Sequence, residues 1–254
     1  MAKHSCAICG AEVGLMSAHK LADGNHICRK VCGKKCLALF DKIPATLQDV
    51  TDHIAQVEFG TKAWNQIFVP LKKTKDKNAK LKQLGVGSHL LYVSPSTGLI
   101  ALTEDRYKFM MFGKTTIACV YRLADLYEYE YEKETKKDSE GKQTTEDYAH
   151  LFFRNVSGLY DIKLNVSGKK EFDKLEEYFN NMFGIQKTLR NSISNAKKQL
   201  NAIKSVAGAV KAAANGEEGM EAQAAEAAAA VEEYAHGDRT QWIKMADAAL
   251  SQVE

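Results

Sequence analysis

Between residues 88 and 165 apolar and polar positions alternate in short runs separated by turn residues, a pattern that predicts antiparallel strands. Leu90-Leu91-Tyr92-Val93 and Gly98-Leu99-Ile100-Ala101-Leu102 flank Ser94-Pro95-Ser96-Thr97, and so predict a hairpin. A second hairpin is expected from Arg106–Phe112, through Gly113-Lys114, to Thr115–Val120. Tyr127, Tyr129 and Tyr131 alternate with Glu128, Glu130 and Glu132, which suits a half-exposed strand. Lys133–Asp147 is nearly devoid of apolar residues and reads as a loop projecting into solvent. Leu151-Phe152-Phe153 and Tyr160–Leu164 are the last two strands, around a Ser157-Gly158 turn.

The period then changes. Phe172, Leu175, Tyr178, Phe179 and Met182 fall on one face of a helix that Ser167 can cap and Gly184 ends. Leu189, Ile193, Ala196, Leu200, Ile203, Ala207 and Val210 step by three and four, a heptad seam on a basic helix. Asn215-Gly216 breaks it, and an alanine-rich acidic helix follows with Met220, Ala224, Ala227, Val231 and Tyr234 on one side. A last short helix begins near Asp238-Arg239-Thr240-Gln241. Trp242, Ala246, Ala249 and Val253 line one face of it, with Ile243 and Leu250 beside them. Trp242, Ile243, Ala246 and Leu250 are either an anchor for a partner's groove or a face docked on the chain's own sheet.

These patterns describe an α+β protein in three parts: a metal-binding module over 1–47, a β domain over 48–185 and a helical tail over 186–254. Composition is that of a globular protein, 45% hydrophobic and 26% charged. No stretch approaches the roughly 20 apolar residues that span a bilayer. The N-terminus lacks the apolar core of a signal peptide, which predicts a reducing, cytoplasmic setting. The net charge of +3 is unevenly spread: residues 1–47 carry +4, residues 186–215 carry +6 and residues 216–254 carry −7. A basic helix and an acidic helix joined by a turn favour a helical hairpin or self-association through the tail.

Chemistry is concentrated at the N-terminus. Cys6-Ala-Ile-Cys9 and Cys28-Arg-Lys-Val-Cys32 have the pairwise spacing of a structural Zn2+ site. Gly10 frees the backbone after the first pair, and Asp23-Gly24 turns a hairpin between Leu15–Leu21 and His26-Ile27. The second pair opens a helix expected to run through Lys34, Leu37 and Phe40 until Pro44. Knuckle, hairpin and helix is the order of a treble-clef zinc finger. Cys36 follows Cys32 by one helical turn and is the alternative fourth ligand, while His4, His19 and His26 lie nearby without being required. With four or five thiols at hand and no His-Glu-x-x-His motif, the zinc is structural in expectation. No phosphate-cradling glycine loop or Gly-x-Ser-x-Gly elbow is present, so the expected function is non-enzymatic.

Cys6-Ala-Ile-Cys9-Gly10, Lys20-Leu21-Ala22-Asp23-Gly24 and Ile27-Cys28 resemble the N-terminal zinc domain of a family of uncharacterised bacterial and phage proteins. In that family a pleckstrin-homology-like sheet often follows, which Tyr121–Leu126 leading into Tyr127–Glu130 also resembles. The order of the strands and the closing helix is itself that of a pleckstrin-homology-like barrel, a curved antiparallel sheet of about seven strands plugged at one end by a C-terminal helix. The resemblance carries over no activity. It draws attention to Lys72, Lys73, Lys75, Lys77, Lys80 and Lys82, because such domains bind inositol phosphates through an early basic loop. The run is either that or a lysine-rich solvated linker or helix face. The expectation is a cytoplasmic protein-interaction module, an adaptor or a phage modulator of a host factor. The alternative is a protein that binds nucleic acid or anionic lipid through its basic surfaces.

Overall fold

The computed structural model describes residues 3–107, 113–137, 141, 143–185 and 239–253. Residues 1–172 together with 240–254 form one compact unit, and residues 173–239 a second. The heptad and acidic helices expected over 186–236 lie outside the described residues.

The N-terminus folds into two small antiparallel ladders. β1 (Lys3–Ser5) pairs with β2 (Glu12–Gly14), and β3 (Ala18–Lys20) with β4 (His26–Cys28). Gly10, at φ +73°, lets the chain turn back so that its N–H donates to the Cys6 carbonyl at 2.8 Å. The Asp23-Gly24 turn forms as expected, with the Leu21 N–H donating to the Asn25 carbonyl at 2.8 Å.

The helix that follows, α1 (Cys32–Lys35), is far shorter than its sequence suggests. Cys36 is extended (ψ 150°), and the Lys34 and Cys36 carbonyls accept from the Arg106 guanidinium. A side chain from elsewhere thus satisfies the helix-terminal acceptors, and the helix stops before Leu37 and Phe40.

Residues 48–72, placed by the sequence in the β domain without a strand of their own, are helical. α2 (Leu47–Ala63) starts at a reciprocal cap: the Asp49 N–H donates to Thr46 Oγ1, and the Thr46 N–H donates to the Asp49 carboxylate. The helix continues through a wide turn, Trp64–Phe68, into α3 (Val69–Lys72). Pro70 accounts for the wide turn. It has no N–H to give and would strike the carbonyl four residues back, so the Val69 N–H reaches Trp64 instead.

Seven strands follow in simple meander order, divided between two sheets. The first contains β5 (Lys82–Leu84), β6 (His89–Ser94), β7 (Leu99–Tyr107) and β8 (Lys114–Arg122). The second contains β9 (Leu126–Lys137), β10 (Gln143–Phe153) and β11 (Asp161–Asn165). The described residues form no closed barrel. The turn Leu123–Asp125 separates the sheets, with Leu123 and Leu126 buried on either side of it. At the far end the Val86 N–H donates to the Asn165 carbonyl at 3.0 Å.

Two strand expectations change. Leu99–Leu102 and Arg106-Tyr107 belong to one strand, β7, rather than to two, while Gly98 stays in the turn before it. Much of Lys133–Asp147 is ladder rather than loop: Thr135 faces Thr145 and Lys133 faces Asp147. Lys136 pairs with Glu146 at 2.7 Å, and Lys163 with Glu132 at 2.8 Å. Cross-strand charge pairing replaces the apolar alternation that would have marked these strands.

α2 crosses the free edge of β8. His53 and Gln56 lie beside the 158–159 turn, whereas Trp64 and Phe68 pack on the opposite side of the sheet with Tyr92, Leu99, Ala101 and Ala118. Gly60 marks the crossing: a Cβ there would come within 2.4 Å of the Ala118 carbonyl oxygen. One residue on, Thr61 Oγ1 accepts the Ala118 N–H at 3.0 Å, which blunts the sheet edge.

The last helices are α4 (Lys169–Phe183) and α5 (Thr240–Leu250). Ser167 N–H and Oγ both donate to Glu171 at the start of α4, and Gly184 ends it at φ +68°. In the second unit Phe179 stacks on Phe183, and the Arg239 guanidinium lies 3.8 Å from the Phe183 ring centroid. α5 belongs to the first unit. Its Ala246 is fully buried in the Trp64–Phe68–Tyr92 cluster, and a Cβ on Gly98 would lie 2.6 Å from the Trp242 carbonyl oxygen.

Candidate metal centre

The two N-terminal ladders bring four sulfurs together. Cys6 and Cys9 bound the turn between β1 and β2, Cys28 ends β4, and Cys32 opens α1. All four Sγ atoms lie within 4.8 Å of one another, with Cys6–Cys32 at 3.8 Å and Cys9–Cys28 at 3.7 Å. Thiolates about 2.3 Å from a tetrahedral ion sit about 3.8 Å apart, so the spacing fits a four-sulfur metal shell. Cys6, Cys28 and Cys32 are buried and Cys9 is exposed.

Backbone donors are already directed at the sulfurs. The Cys28 N–H donates to Cys6 Sγ at 3.3 Å, and the Cys32 N–H to Cys28 Sγ at 3.2 Å. Burial opposes a thiolate at Cys6, but hydrogen bonds from the backbone of Cys9, Cys28 and Ile8 outweigh it and bring the thiol down to about 6. At Cys28 burial is likewise outweighed, by the Cys32 and Val31 backbone, and the thiol is lowered. Burial and then the Cys28, Cys9 and Cys6 sulfurs push Cys32 up. Four thiolates in so small a volume repel one another, and a bound cation is what allows all four to ionise together.

Cys36 stands outside this group. It is buried, its Sγ lies 4.0 Å from the Cys32 carbonyl oxygen, and burial raises its thiol above the ordinary value. Cys119 is buried in the sheet, where burial likewise pushes its thiol up, to about 12. His4 and His26 stack on each other at 3.9 Å, and none of His4, His19 and His26 joins the cluster.

The centre is fastened to the first sheet by residues that sequence reasoning overlooked. Arg106 on β7 donates to the Cys36 carbonyl at 2.7 Å, to the Lys34 carbonyl, and through Nε to Glu104 at 2.7 Å. Glu104 accepts the Ala38 N–H at 2.6 Å and lies 3.3 Å from His89 Nε2. Burial would raise the Glu104 carboxyl, but His89, the Ala38 N–H and Arg106 hold it at about 2.

His53, fully buried on α2, makes the second attachment. Its Nε2 accepts the Leu37 N–H at 3.1 Å, so Nδ1 carries the proton and donates to Gln56 Oε1 at 3.0 Å. Gln56 in turn pairs with both backbone groups of Leu159, at 2.9 and 3.1 Å. Burial, more than any charge, lowers His53 to about 4 and keeps the ring neutral. The signal available in sequence was Thr46-Leu47-Gln48-Asp49 followed by Val50, Ile54 and Val57 at helical steps. Nothing in the spacing of Glu104 and Arg106 announces their partners.

The other candidate residues are placed as follows. Lys72 lies over the rings of Tyr92 (4.7 Å) and Trp64 (5.4 Å), so its charge is engaged within the fold. Lys73, Lys75, Lys77, Lys80 and Lys82 are exposed on the connection from α3 to β5 and its first residue. Trp242 and Ala246 face the chain's own core, which differs from an exposed anchor for a partner. On the same helix Ile243 is 41% exposed, and Leu250 packs partly buried against the cluster.

Comparison with known families gives one finding. Residues 4–53 match a family described as a domain of unknown function, DUF4428. The match takes in all four clustered cysteines and runs to His53, and with the cluster it fits an N-terminal metal-binding domain. No curated protein and no solved structure matches the chain. No helix among the described residues is long and apolar enough to cross a membrane.

Proposed function

We propose that the four cysteines hold a structural zinc ion, and that the chain is a non-enzymatic protein-interaction module of the cytoplasm. The observation that carries this reading is the saturated shell. Four sulfurs at tetrahedral spacing leave no position for a water or substrate, so the ion acts by folding the module rather than by chemistry. Arg106, Glu104 and His53 then lock that module to the sheet, which supports a rigid platform. We read the knuckle, hairpin and helix as a treble-clef-like finger. The seven-strand meander followed by α4 is read as pleckstrin-homology-like, in keeping with a bacterial or phage origin.

On this reading the tail over 186–238 carries the partner contact or self-association, as an adaptor or a modulator of a host factor. Because α5 covers the Trp64 cluster, cutting the chain at Gly184 would uncover that core as well as remove the tail. The better test leaves the chain whole and replaces Ile193 and Leu200 on the heptad seam by Asp. Elemental analysis should give one zinc per chain in both proteins. A tagged pulldown with mass spectrometry should lose one dominant protein partner, or the second copy, in I193D/L200D. Recovery of nothing but nuclease-sensitive nucleic acid by both proteins would replace this reading with polyanion binding. A protein that retains no zinc after native purification would remove its foundation.

A further inference from the structure

The metal module carries an apolar tip that the fold does not cover. Leu15 and Met16 sit on the three-residue turn between β2 and β3, and they are 77% and 86% exposed. Val31, just before α1, is 58% exposed. Two hydrogen bonds bring these segments side by side: the Arg29 N–H donates to the Ser17 carbonyl at 2.9 Å, and Arg29 Nε donates to the Ala18 carbonyl at 2.8 Å. The Leu15-Met16 turn therefore lies against Arg29-Lys30-Val31, at one end of the β3–β4 hairpin.

Charge around this tip has one sign. Arg29, Lys30 and Lys34 are exposed, and among the described residues none of them takes part in an ion pair. The module's acidic groups lie elsewhere. Asp23, at the opposite end of the hairpin, accepts the Asn25 and Leu47 N–H groups, and Asp41 accepts the Ile43 N–H. Glu12 faces Ser5 at the start of β2, the end away from the Leu15-Met16 turn. The tip is a protruding turn, and the 810 Å³ cleft lined by Phe40, Pro44, Lys136 and Lys163 lies elsewhere.

We propose that this tip seats the protein on an anionic lipid surface, with Leu15, Met16 and Val31 entering the interface and Arg29, Lys30 and Lys34 meeting the headgroups. A projecting pair of apolar side chains inside a cationic collar matches the two layers of such a surface, acyl chains below and phosphates above. A protein partner would have to supply a pocket with an acidic rim to do the same. This seating rests on the metal centre proposed above: a metal held by Cys28 and Cys32 would fix the geometry, because Arg29, Lys30 and Val31 all lie between those two cysteines.

The metal-loaded full chain is sedimented with phosphatidylcholine vesicles, with and without phosphatidylserine. It should bind the phosphatidylserine vesicles at least about tenfold more tightly, and both L15S/M16S and R29E/K30E should lose about that factor while keeping their metal. Met16→Trp gives a second readout. The native Trp64 and Trp242 are buried, so a blue shift on adding vesicles reports entry of position 16. Absence of binding to phosphatidylserine vesicles by the metal-loaded chain overturns the proposal and leaves the tip to a protein partner. Binding that L15S/M16S leaves intact, or M16W fluorescence that does not shift, overturns it equally. The metal content measured in each sample separates these outcomes from failure of the metal centre itself.

Discussion

Cys32 and Cys36 are four positions apart, and their surroundings treat the two sulfurs differently. Cys32 Sγ lies 3.8 Å from Cys6 Sγ, inside the cluster, whereas Cys36 faces the Cys32 carbonyl and sits outside it. Spacing alone left the choice open, because a helix begun at Cys28 would have aligned both. Cys28 instead ends a strand, and the helix that starts at Cys32 is only four residues long. Cys32→Ser should therefore abolish stoichiometric metal binding. Cys36→Ala should retain one metal per chain and cost only about 1 kcal/mol of stability. Metal analysis of the two purified variants checks this. His53 gives a second prediction at this scale. An unfolded histidine titrates near 6.5, while the native ring stays neutral down to about 4. Between those values the unfolded state binds the extra proton, so stability falls as pH drops from 6.5 to 4 and is independent of this group above 6.5. The full effect is about 3 kcal/mol. A ring-resonance titration by NMR should show His53 as the Nδ1-H tautomer with its midpoint below 5. A midpoint near 6.5 would contradict the buried hydrogen bond to Leu37.

Among the elements, the hairpin of β6 and β7 and the two last strands were legible because apolar runs and turn residues agree there. The helix over 47–72 was not, although its cap and its apolar steps are in the chain. Gly60 and Pro70 are residue types that ordinarily interrupt a helix, and each is present for a tertiary or local backbone reason. Gly60 permits contact with β8, so Gly60→Ala should force the helix off the sheet edge. A loss of about 1–3 kcal/mol is expected, seen as a lower urea midpoint at unchanged slope. The outer half of the β9–β10 ladder, read as a loop, was hidden for a different reason: it is held by ion pairs rather than by a buried face. β7 was cut in two by Glu104-Asp105-Arg106, charges that a strand centre ordinarily excludes. Two of these charges attach the metal module. Arg106→Ala removes the donors to Lys34, Cys36 and Glu104, and should lower thermal stability by about 2 kcal/mol while leaving metal stoichiometry at one. Differential scanning calorimetry beside metal analysis would check both.

For the whole molecule, the separation between metal module and β domain that composition suggests is bridged in the structure. The Leu37 and Ala38 N–H groups donate to His53 and Glu104, and Gln56 carries the same network on to Leu159. A metal bound only by the native state stabilises everything that unfolds with its site. Removing it should thus affect the attachment as well as the knuckles, while the β6–β7–β8 ladder, with Leu91, Ile100 and Leu102 buried within it, persists. The most direct measurement is amide hydrogen exchange on the full chain before and after metal chelation. The account predicts that the Cys28, Cys32, Leu37 and Ala38 amides lose protection together while Ile100 and Leu102 keep theirs. Unchanged protection at Cys28, Cys32, Leu37 and Ala38 after verified metal removal would contradict a metal centre that folds the module and fixes it to the sheet.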